Sequence, residues 1–150
     1  FNGWKKMTLT EITEKICNFA ERSGLVITEI LDEYVTKLEY KTDYGVEPII
    51  VIAVGTNPDN NTVITIGSRG IELSSNMELN FMMSYHLMGL NSDMTLGNWR
   101  IETYGGRQFF NIAVPQVAET ISLDDFINSV AAVLKARAKY RETFGDKTLA

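Results

Sequence analysis

The chain has 150 residues, 45% hydrophobic and 22% charged, a balance that suits one globular domain spanning residues 1–150 and excludes wholesale disorder. Its 14 basic and 19 acidic residues leave a net charge of -5, without the surplus of Lys and Arg that phosphate binding needs, so no nucleic acid partner is expected. The longest apolar run, Ile49 to Val54, is six residues, far short of the roughly 18 of a membrane span, so no membrane is expected either.

One cysteine and one histidine leave no material for a disulfide framework, a Cys-rich zinc site or a two-histidine metal centre. The opening Phe1-Asn2-Gly3-Trp4-Lys5-Lys6 lacks the apolar core of a secretory signal. Cytoplasmic localisation is the resulting expectation.

The first predicted helix opens with a T-x-x-E capping box, Thr8 and Glu11, and a staple from Met7 to Ile12. Leu9, Ile12, Ile16 and Phe19 follow at helical spacing, and Gly24 stops the helix after Ser23. The next stretch fits two patterns. Ile27, Ile30, Leu31, Tyr34 and Leu38 match a helix, whereas Tyr34, Thr36, Leu38, Tyr40, Thr42 and Tyr44 alternate with Lys37, Glu39, Lys41 and Asp43. The alternation is longer and rich in Tyr and Thr, which predicts a strand from about Tyr34 with one solvated face.

Gly45 to Pro48 reads as a turn, and the apolar Ile49–Val54 as a central strand covered on both faces. After the polar loop Thr56-Asn57-Pro58-Asp59-Asn60-Asn61 comes a short strand, Val63 to Ile66, which completes an antiparallel meander.

Met77 to Asn91 is predicted as a helix with two apolar arcs. Leu79, Met83, Leu87 and Leu90 form one, while Met77, Phe81, Tyr85 and Met88 form a second on roughly the opposite side. Asn80, Ser84 and Asn91 separate them along one edge. A surface helix of a small monomer needs a single arc. The second is therefore either covered by loops or the last helix, or an interface where Met and aromatic side chains meet a partner.

Gly105-Gly106 predicts a type I′ hairpin turn pairing Tyr104 with Arg107, Ile101 with Phe110 and Trp99 with Ile112. Trp99, Ile101, Phe110, Ile112 and Val114 then share one face. Arg100, Glu102 and Asn111 share the other, together with an out-of-place Phe109. The last helix starts at the N-cap Ser122, with Asp124 and Asp125 in its first turn, and carries the stripe Phe126, Ile127, Val130, Val133 and Leu134. Its basic residues Lys135, Arg137, Lys139 and Arg141 read as a solvated face, and Gly145 ends it.

Nothing converges on chemistry. His86 is expected to be a hydrogen-bonded structural residue and Cys17 a buried structural thiol. The chain carries no G-x-G-x-x-G, Walker or G-x-S-x-G motif. Asp124 and Asp125 are explained by the helix start, and Asp59-Asn60-Asn61 by a surface turn. No catalytic residue, no metal ligand and no cofactor is therefore expected.

The order helix, three strands, helix, two strands, helix resembles the YbjN-like proteins and the class I type III secretion chaperones that share their fold. The likeness is best carried between Met77 and Phe144. There a helix ends at Leu90-Asn91, Leu96-Gly97-Asn98-Trp99 leads into a hairpin finishing at Ala113-Val114-Pro115, and a capped helix opens at Ser122-Leu123-Asp124-Asp125. The resemblance implies an α+β fold with an antiparallel sheet packed against helices. It also implies a non-enzymatic, chaperone-like protein-binding module, a homodimer that holds a client on apolar surface. Met77, Phe81, Tyr85, Met88 and Phe109 are the candidate contact residues. The alternative is a regulatory sensor binding a small ligand between sheet and helices.

Overall fold

A computed structural model describes residues 6–43 and 45–145. Among them the order is α1 (Leu9–Arg22), β1 (Val26–Leu31), β2 (Val35–Thr42), β3 (Gly45–Thr56), β4 (Thr62–Glu72), α2 (Met77–Asn91), β5 (Asn98–Tyr104), β6 (Arg107–Val117) and α3 (Leu123–Phe144). The strands form one antiparallel sheet in the order β1-β2-β3-β4-β6-β5.

The local signals act as expected. The Thr8 hydroxyl accepts from Glu11 N and the Glu11 carboxylate accepts from Thr8 N, while Ser122 and Asp125 make the same reciprocal pair on α3. Gly105 and Gly106 take φ of 56° and 79°, and the hairpin pairs Tyr104 with Arg107, Ile101 with Phe110 and Trp99 with Ile112.

Leu38, Ile49, Val51, Ile64, Ile66, Phe110, Ile112 and Val114 point from the sheet into one core. Opposite them stand Ile12, Ile16 and Phe19 of α1 and Phe126, Val130, Val133 and Tyr140 of α3. The helices therefore cover one face of the sheet and leave the other open.

The α+β class and antiparallel sheet match the sequence expectation, with one strand more than the meander allowed for. β1 lies before Tyr34 and turns back through Asp32 and Glu33, both left-handed at φ 51° and 61°. Leu31 O accepts from Tyr34 N to close that turn, and β1 pairs with β2 from Leu31–Val35 to Val26–Glu39. Within β2, Thr36 and Leu38 are buried, whereas Tyr40 is exposed. Tyr44, the last residue of the alternation, lies outside the described residues.

Two further expectations are corrected. Gly45–Pro48 is no turn: it is extended, paired with β2 from Thr42–Gly45 onward. Nor is Ile49–Val54 covered on both faces, since Ile49 and Val51 are buried but Ile50 and Ile52 are half-buried and Val54 is exposed.

The basic run of α3 is also not uniformly solvated. Arg137 is 2% exposed, and its Nε donates to Glu47 Oε2 at 2.6 Å while one Nη donates to Ser68 Oγ at 2.6 Å and Arg69 O at 3.3 Å. Arg141 donates to both Glu47 oxygens, the longer bond being 3.0 Å. Burial pushes the Glu47 carboxyl up, but the hydrogen bonds and charges of Arg141 and Arg137 outweigh it and hold it below its ordinary value. Burial also draws Arg137 down against the opposing pull of Glu47. A guanidinium starts so far above neutrality that it stays charged, so the site is an ion pair.

Candidate interaction surface on the second helix

α2 is anchored by its polar edge. Asn76 caps it by accepting from Leu79 N at 3.2 Å. The Asn80 amide accepts from Ser74 N at 2.8 Å and donates to Ser74 O at 2.7 Å, clamping the incoming loop. At the other end Asn91 accepts from Trp99 N at 2.6 Å and donates to Trp99 O at 3.1 Å, fixing the start of β5. These two clamps set the rotation of the helix about its axis.

With the rotation fixed, Met83 and Leu87 of the first arc enter the core, Leu90 is half-buried and Leu79 is exposed. The Tyr140 hydroxyl meets Met83 Sδ at 3.8 Å, and the Tyr140 ring lies against Trp99 and Phe144 at 5.3 and 4.7 Å.

The second arc is uncovered. Met77, Phe81, Tyr85 and Met88 are 71–77% exposed, so neither the loops nor α3 provides their cover. Met82, also exposed, extends the surface. Ile101 of β5 joins it as well. Although it sits on the core side of the sheet, Ile101 is 48% exposed and lines a shallow cleft together with Leu73, Met77 and Phe81. Sequence periodicity assigned Ile101 to the core face and could not show that the helices stop short of it.

Phe109 does not belong to this surface. It is 6% exposed, with the Arg69 and Arg107 guanidinium carbons 4.7 and 5.4 Å from its ring centroid and the Tyr104 ring at 6.2 Å. Its odd place beside Glu102 is explained by these cation–π contacts on the open face of the sheet.

The remaining reactive types are unremarkable in chemistry. His86 is exposed and edge-on to Tyr85 and Phe144 at 6.4 and 5.5 Å, a ring contact in place of the expected hydrogen-bonded site. Cys17 is half-buried, and burial, helped by Glu21, pushes its thiol up, so it is protonated at neutral pH. Among the described residues no group of three or more His, Cys, Asp or Glu could hold a metal, and no helix is long and apolar enough to cross a membrane. Core side chains pack between sheet and helices, and a cleft of about 100 Å³ lies beside Trp99 and Ala136.

Among the described residues the layout is a two-layer α+β fold with three helices on one side of a six-stranded antiparallel sheet. No family model and no curated protein matches the sequence. Among solved structures the chain is similar to YbjN from E. coli, described as a candidate transcription regulator. The TM-score is 0.51 at 10% identity, with 85% of this chain and 93% of that chain covered. The likeness is one of fold, and the fold is YbjN-like.

Proposed function

We propose that the protein is a non-enzymatic, chaperone-like binding module, a cytoplasmic homodimer that holds a protein partner on apolar surface. The observation that carries this reading is the second arc of α2: four large apolar side chains, 71–77% exposed, one turn apart on a helix whose rotation is fixed. Exposed apolar residues scattered singly are ordinary, but a contiguous set is a mark of an interaction site. Methionine and aromatic side chains suit it, because they bury much area and repack around different partners. The regulatory description of YbjN agrees with a role exercised through binding.

Phe81→Glu and Tyr85→Glu test the proposal. Both side chains are outside the core, so stability stays within about 0.5 kcal/mol of the parent. Light scattering and affinity capture with the purified chain as bait are expected to show loss of self-association or of the captured partner. If both variants match the parent in mass and in capture, the surface is not an interface and the reading falls.

A further inference from the structure

The open face of the sheet carries a second feature, independent of α2. Leu31 of β1 and Tyr104 of β5, on opposite edges of the sheet, line one concavity of about 190 Å³, so the sheet curls around it. The register explains the hollow. Val35, Ile52 and Thr65 stand in one row across the strands, and Lys37, Ile50, Gly67 and Ala113 in the next. Gly67 and Ala113, two of the smallest residues, fall at the centre of the floor, and the branched side chains of β2 and β3 form a wall.

The other end is polar and organised. The Asn111 amide, 3% exposed, accepts from Gly70 N at 3.1 Å and donates to Glu102 Oε1 at 3.1 Å and to the Tyr104 hydroxyl at 3.4 Å. Two of the neighbouring cations are matched: Lys37 pairs with Glu29 at 3.2 Å and Arg100 with Glu102 at 3.5 Å. Arg69 has no carboxylate within ion-pair distance among the described residues. Its guanidinium is instead steadied over the rings of Phe109 and Tyr104, at 4.7 and 5.3 Å. A planar cation held against aromatic faces keeps its N–H edge free to take a carboxylate in bidentate fashion.

We propose that this concavity binds a small amphipathic carboxylate, its apolar body against Val35, Ile50, Ile52 and Ala113 and its carboxylate on Arg69. The occupant is small, since drug-sized ligands fill roughly 300–1,000 Å³. It is also anionic, because the unmatched charge of the site is positive although the chain as a whole is acidic.

Phenylacetate titrated into isotope-labelled protein tests the site, with phenethyl alcohol as the neutral match. Phenylacetate is expected to bind with Kd of about 1 mM or tighter, shifting the methyl signals of Val35, Ile50, Ile52 and Ala113 in a saturable way. Arg69→Gln weakens it about tenfold, the loss of one charge-assisted contact, and leaves the alcohol unaffected. Arg69→Lys recovers part of the affinity. Phe81→Glu changes nothing, which separates this site from the surface of α2. Absence of saturable methyl shifts, equal affinity for the alcohol, or undiminished binding by Arg69→Gln overturns the proposal.

Discussion

Replacing Glu47 by Gln removes the negative charge on which Arg137 depends. Arg137 is 2% exposed and Glu47 15%, and their ion pair is 2.6 Å long. The substituted amide would keep an oxygen for the guanidinium but no charge, leaving a buried cation beside that of Arg141. Uncompensating a buried charge in this way costs about 3–5 kcal/mol. For a chain of this length each kcal/mol lowers Tm by about 2–4 °C, so the expected fall is roughly 6–20 °C. Urea unfolding should show the same loss as a lower midpoint at unchanged slope. Arg137→Met is the control. It removes the buried charge itself and leaves Glu47 with Arg141 at the more solvated rim, so it is expected to cost less than Glu47→Gln.

The pH dependence follows the same pair. Because the folded-state carboxyl of Glu47 lies below its ordinary value, its contribution is fully present above the unfolded pKa of about 4.3 and is lost as pH falls through the folded value. The stability gap between parent and Glu47→Gln should therefore be constant near neutrality and close progressively below about pH 4.3. A cost under about 1 kcal/mol, as an exposed surface pair would give, refutes the reasoning. So does an Arg137→Met variant less stable than Glu47→Gln.

Two further substitutions test the packing. Leu87→Ala, at 2% exposure, should lose about 2–5 kcal/mol, whereas its neighbour Met88→Ala, at 72%, should stay within about 0.5 kcal/mol; equal losses in chemical denaturation would mean that the rotation of α2 is wrong. Gly67→Ala places a Cβ 2.2 Å from Ile112 O on β6, so the two strands must separate and urea unfolding should register a loss of about 1–3 kcal/mol or more. A neutral result would show that β4 and β6 are not so close.

What could be read from the sequence was chemistry confined to a few neighbouring residues. Thr8 with Glu11 and Ser122 with Asp125 each complete a cap within one turn, and Gly105-Gly106 dictates its own hairpin register. The strand β1 escaped because it is a largely exposed edge and shows little alternation of burial. Its turn uses Asp32 and Glu33 at left-handed angles that a Gly or Asn would have advertised. The ion pair escaped because Glu47 and Arg137 are 90 residues apart and only the crossing of α3 over β3 joins them. Phe109 looked displaced in a local pattern, and of the two cations that explain it the nearer, Arg69, lies on another strand, β4, while Arg107 shares its own strand. For α2 both arcs were legible from spacing. Which one the fold would cover was not, since that depends on where the neighbouring helices end.

The exposure of the second arc is then a consequence of how α2 is held. A helix with apolar residues on two sides can gain burial by rolling, and hydrophobic contact alone, being non-directional, would not choose between the arcs. The Asn80–Ser74 and Asn91–Trp99 clamps choose: each amide uses both donor and acceptor on a single backbone residue, so rolling would break four directional bonds at once. Losing them would cost about 0.5–1.5 kcal/mol apiece, comparable to what burying Phe81 or Met88 would gain. Directional polar bonds thus keep a large apolar surface facing outward, the disposition a binding helix requires. β5, to which Asn91 ties this helix, contributes to both surfaces. Ile101 borders the apolar patch of α2, and on the other side of the same strand Glu102 and Tyr104 border the hollow at Arg69.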